Sequence, residues 1–140
     1  MKNPLSDNEI TQAVGGFGAE MTVSSGSFAS NSGTNVNLLV NWFVRSDSFG
    51  ARTLYVDVSV TSYALYNSGV GVDLYANGMR YSATSATIQD GASARVTNRL
   101  ASFTVPNVSG AVNLSVVWHF NGTLSGVHVG DIRADGVAVV

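Results

Sequence analysis

Seven carboxylates follow the first dozen residues: Glu20, Asp47, Asp57, Asp73, Asp90, Asp131 and Asp135. Glycoside hydrolysis needs two such groups at a set separation. These acids stand singly, in turn-like segments or on exposed strand faces, where they cap turns and hold water. Asp57 and Asp73 are placed to pair with arginines across strands, a structural role. His119 and His128 are the only histidines. A hairpin between them could bring the two rings together. No third ligand stands at useful spacing, and zinc takes three or four, so they read as strand-face histidines. Cysteine is absent, which excludes thiolate nucleophiles, disulfides and cysteine zinc sites. Serine is abundant, yet no Gly-x-Ser-x-Gly elbow occurs. Gly69-Val70-Gly71 opens no helix and so makes no phosphate cradle. We expect no catalytic residue, no metal and no cofactor.

The aromatic chemistry is more suggestive. Tyr55, Tyr63, Tyr66, Tyr75 and Tyr81 crowd the middle of the chain. Pointing outward together, they would form a platform for a glycan or a protein neighbour. The competing reading packs them at sheet edges and corners.

Only 11% of the 140 residues are charged, 45% are hydrophobic, and the net charge is -2. No basic field exists to draw nucleic acid or anionic lipid. No apolar stretch is long enough for a membrane-spanning helix, and no secretory signal of the ordinary type is visible.

The elements that must carry these residues fall into two parts. Residues 1–16 read as one short helix, with Ser6 as N-cap, Glu9 completing a capping box and Gly15-Gly16 as the stop. Leu5, Ile10, Val14 and Phe17 would make it an assembly arm. From Glu20 onward the period becomes two. Val36, Leu38, Val40, Trp42 and Val44 alternate with polar or outward positions, as do Leu54 to Val60, Val70 to Leu74 and Val112 to Phe120. Asn77-Gly78 marks a type I′ hairpin turn, and Asp90-Gly91, Ser109-Gly110, Asn121-Gly122 and Asp135-Gly136 punctuate the rest. Strands are expected near 20–29, 34–45, 52–66, 70–76, 79–88, 94–105, 111–120, 124–130 and 132–140. The fold class is all-β: a two-sheet antiparallel β-sandwich, jelly-roll or Ig-like, of about 8–9 strands with a short N-terminal helix or arm. The division is 1–18 for the arm and 19–140 for the sandwich. Trp42, Phe103, Trp118 and Phe120 should lie between the sheets.

Two resemblances add to this reading. Leu5-Ser6, Glu9-Ile10, Ala13 and Gly15-Gly16 fall at the spacing of a double-glycine leader, which implies cleavage after Gly16 and a secreted adhesin or filament subunit. The other lies in residues 52 to 140. Thr53-Leu54-Tyr55-Val56-Asp57-Val58, the Asn77-Gly78 turn, Val112-Asn113-Leu114-Ser115-Val116 and the run from Phe120-Asn121-Gly122 to Ala134-Asp135-Gly136 resemble the β-sandwich modules of siphophage tail proteins. That resemblance implies a non-enzymatic virion structural protein of tail, fibre or capsid decoration. It would assemble with copies of itself and with other virion proteins, and contact host surface glycans in some cases. A carbohydrate-binding module using the tyrosines is the third reading.

Overall fold

The computed structural model describes residues 21–30, 36–62, 66–67, 69–89, 96–124 and 127–140, with backbone alone at 62, 66–67, 88–89, 96, 124 and 127. The expected N-terminal helix, and with it Leu5, Ile10, Val14, Gly15, Gly16 and Phe17, lies outside the described residues. Every regular element described is a strand: β1 (Met21–Ala29), β2 (Asn37–Ser46), β3 (Arg52–Ser62), β4 (Tyr66–Asn67), β5 (Gly71–Ala76), β6 (Met79–Thr84), β7 (Ile88–Gln89), β8 (Val96–Pro106), β9 (Ala111–Trp118), β10 (Gly122–Leu124), β11 (Val127–Val129) and β12 (Ile132–Val139). The run expected at 79–88 is broken at residues 85–87, between β6 and β7.

All pairing is antiparallel. One four-stranded sheet has the order β1-β2-β3-β8, a second has β12-β9-β5-β6, and β4-β7 and β10-β11 form small pairs. Turn chemistry sets the registers. At Asn77-Gly78 both residues have positive φ, 49° and 85°, the geometry of a type I′ turn whose twist suits two adjoining strands. Between β2 and β3 the Asp47 carboxylate accepts from the amides of Phe49 and Ala51, at 2.8 and 3.0 Å. That closed turn sets Phe43 opposite Tyr55 and Val44 opposite Leu54.

Period-two alternation sends every second side chain to one face. Leu38, Val40, Val44, Leu54, Val56, Val58 and Val60 of the first sheet are wholly buried, with Val36 just before it, as are Val72, Leu74, Val116 and Trp118 of the second. Residues from both sheets belong to a single hydrophobic cluster, which also holds Trp42, Phe103 and Phe120. Trp118 packs against Phe120 with ring centroids 4.9 Å apart. Glycines admit the largest rings. A Cβ on Gly136 of β12 would stand 2.3 Å from the Phe28 ring of β1, and one on Gly26 would stand 2.6 Å from Trp42. Phe28 on Gly136 therefore joins the edge strand of one sheet to the edge strand of the other.

Candidate functional site

Alternation leaves two outward faces, and each gathers its own group of side chains. On the second sheet Val72 pairs with Trp118 and Asp73 with Ser82. Asp73 therefore projects outward in the middle of the sheet, flanked by β6 and by the residue following β9. His119 is that residue, held by its amide to the Gly71 carbonyl at 3.0 Å. Its Nε2 lies 2.9 Å from Asp73 Oδ2 and its Nδ1 lies 3.0 Å from Asp131 Oδ2. The Ser82 hydroxyl donates to Asp73 Oδ1 at 2.6 Å. Arg80 donates through Nε to the Ser82 hydroxyl at 3.1 Å and lies 3.5 Å from Asp73 Oδ1. Asp73 is buried at 5% exposure, whereas Arg80 keeps most of its side chain in water.

The electrostatics follow from this crowding. The His119 hydrogen bond, then that of Ser82, holds the Asp73 carboxyl below its usual range despite burial. The same bond to Asp73, reinforced by Asp131, raises the imidazole above its ordinary value. Carboxylates on both ring nitrogens favour the protonated ring, which donates to each. Ser82 donates to the carboxylate and not to the ring, so the nucleophile–base contact of a hydrolytic triad is missing here. The three groups form a clamp. Asp131 lies just before β12 and His119 just after β9, so their contact closes the base of the excursion that carries β10 and β11. The Asn121 amide bonds the Gly130 carbonyl at 3.3 Å across the same base.

Beside the clamp is a shallow depression lined by Tyr75, Asn113, Ser115, Arg133, Asp135 and Val137. Arg133 pairs with Asp135 at 3.0 Å on its open rim.

The outward face of the first sheet is aromatic. Phe43 and Tyr55 stack with centroids 5.0 Å apart and planes 16° from parallel. The Arg45 guanidinium lies over both rings, 5.0 Å from Phe43 and 5.9 Å from Tyr55. Further along, Asp57 accepts from the Ser102 hydroxyl at 2.7 Å and faces Arg99 at 3.5 Å. Both aspartates expected to meet arginines across strands do so.

The three tyrosines with described side chains, Tyr55, Tyr75 and Tyr81, do not share one face. Tyr55 is outward on the first sheet and Tyr75 outward on the second, while Tyr81 turns inward against the core. Tyr63, and the side chain of Tyr66, lie outside the described residues. Tyr55 instead stacks with Phe43 beneath Arg45, two partners that were not expected. His119 is drawn to two carboxylates in place of His128, which sits exposed on β11 opposite Thr123. No cluster of three or more metal-ligating side chains suited to an ion occurs among the described residues. No protein-family model, curated protein or solved structure matches the chain.

Proposed function

We propose that the protein is a non-enzymatic structural subunit that associates with copies of itself and with other proteins of a virion. The observation that carries self-association is apolar exposure in a chain poor in charge. Phe49 is 93% exposed at the β2–β3 turn, Met21 72% on β1 and Val139 64% on β12, while charged residues are 11% of the sequence. Large apolar side chains left in water favour contact with a neighbour. A surface with few ions is also less costly to desolvate.

The scaffold of this reading is a sandwich of the two four-stranded sheets about 10 Å apart. Its strand order favours the Ig-like alternative over the jelly roll. β2, β3 and β8 lie side by side, as do β5, β9 and β12, which corresponds to the A-B-E and C-F-G groupings of that architecture, with β6 as an added edge. The assignment to a virion rests on the resemblance of residues 52 to 140 to siphophage tail modules. The clamp around His119 serves this role by fixing shape, and the stacked Phe43–Tyr55 pair spends ring area on itself and on Arg45.

Light scattering over a wide concentration range, with electron microscopy of the same sample, tests the reading. A defined multimer or regular particle is expected. A monomer at every concentration would overturn it.

A further inference from the structure

Resting on the self-association proposed above, we infer that the free edge of β1 is the contact, pairing antiparallel with β1 of a second copy about a two-fold axis at Ser27.

Four strands border the two large sheets: β1, β8, β12 and β6. Proteins protect such borders with charge, proline or short length, because an open row of N–H and C=O groups recruits another strand. β8 carries Arg99 and ends in Pro106, and its Leu100 carbonyl is already taken by the Ala86 amide at 3.0 Å. β12 carries Arg133 and Asp135, and β6 has six residues including Arg80. β1, Met21-Thr-Val-Ser-Ser-Gly-Ser-Phe-Ala29, is nine residues long with no charge and no proline. Among the described residues it pairs with β2 alone.

The register follows from the hydrogen bonding. The Ser30 amide donates to the Leu38 carbonyl at 3.0 Å, and Phe28 faces Val40 and Gly26 faces Trp42. Antiparallel ladders alternate bonded and non-bonded pairs. The even residues 24 to 30 therefore bond to β2, and Ser25, Ser27 and Ala29 aim their N–H and C=O groups away from it. The pairing shifts between Thr22 and Ser24, which makes Val23 a bulge and ends the regular edge there. The bulge-free stretch 24 to 30 is centred on Ser27. Self-pairing about that centre sets Ser27 opposite Ser27 and Ser25 opposite Ala29, each a bonded pair. The side chains brought together are small and neutral, so the edge meets its own copy without like-charge repulsion, whereas self-pairing β8 about Arg99 would set two guanidinium groups face to face. The exposed side chains of Met21 and Val23 continue the strip beyond the bulge.

The test uses the full-length chain, whose lack of cysteine makes single substitutions clean. Ser27→Cys should crosslink into a covalent dimer on mild oxidation, because bonded antiparallel neighbours sit about 5.5 Å apart, within disulfide reach. Ser25→Cys and the exposed control Thr104→Cys should crosslink roughly tenfold more slowly, being out of that reach. Ser27→Lys, which leaves the β2 ladder untouched, should convert the wild-type multimer to monomer with an unchanged circular dichroism spectrum. A wild-type multimer indifferent to Ser27→Lys and not crosslinked through Ser27→Cys would overturn the edge assignment and leave self-association standing. A monomeric wild type would remove both. Slow amide exchange at Ser25, Ser27 and Ala29 in a monomer would show that another part of the same chain covers this edge, and would also overturn it.

Discussion

His119 is the residue at which charge, burial and topology meet. Its raised pKa fixes the sign of a pH effect. A group whose affinity for protons is greater in the folded chain contributes stability that is complete below its ordinary value, near 6.5, and is lost as pH rises through the raised value. Unfolding followed by urea should therefore show stability falling as pH rises above about 6.5, and His119→Gln should flatten that fall. Asp73 acts in the opposite direction, its contribution present above about 3.8 and lost as acid titrates it below that value. Asp73→Asn should return the His119 titration, followed by NMR, toward its ordinary position. Asp73→Ala should cost about 2–3 kcal/mol in urea, since it strips a charged hydrogen-bond partner from both His119 and Ser82. Little of this was legible in the sequence. Asp73 and His119 stand 46 residues apart, and only the β5–β9 register, which no local pattern encodes, sets them side by side.

At the scale of elements the sequence is more explicit. Alternation placed the buried valines and leucines correctly because burying one face of a strand demands a period of two. The Asn77-Gly78 turn was legible because both residues tolerate positive φ. Phe43 beside Tyr55 was within reach too: both stand on the outward phase of their strands, and the Asp47 turn fixes which residues face each other. Alternation also separates the described tyrosines, since Leu74, opposite Tyr81, faces inward and Tyr75 outward. The aromatic–glycine contacts could not be anticipated, because Gly136 and Phe28 lie at opposite ends of the described chain. Gly136→Ala should cost about 1–3 kcal/mol by driving a methyl into the Phe28 ring. Phe28→Ala in the same chain should absorb most of that penalty, a non-additivity that a double-mutant cycle in urea would reveal. Trp118→Ala should cost about 3–5 kcal/mol, its ring being wholly buried.

For the whole molecule, the distribution of charge separates three charged sheet borders from one that carries none. Arginines stand on β6, β8 and β12 and are absent from β1. If β1 is the joint, ionic strength should change the monomer–multimer balance little, because salt screens charges and this border carries none. Light scattering at low and high salt checks that expectation. The Asn77-Gly78 turn also bears on how the molecule ages. An asparagine before glycine deamidates when the next amide nitrogen attacks its side-chain carbonyl. In Asn77 that carbonyl is held by the Asn113 amide at 2.8 Å, while the Asn77 amide bonds the Asn113 carbonyl at 2.9 Å. The side chain is thus steered away from cyclisation. Peptide mapping of stored protein should find the one-dalton gain of deamidation at Asn121-Gly122 well before Asn77-Gly78, so the chemical shelf life of the protein is set at the hairpin base.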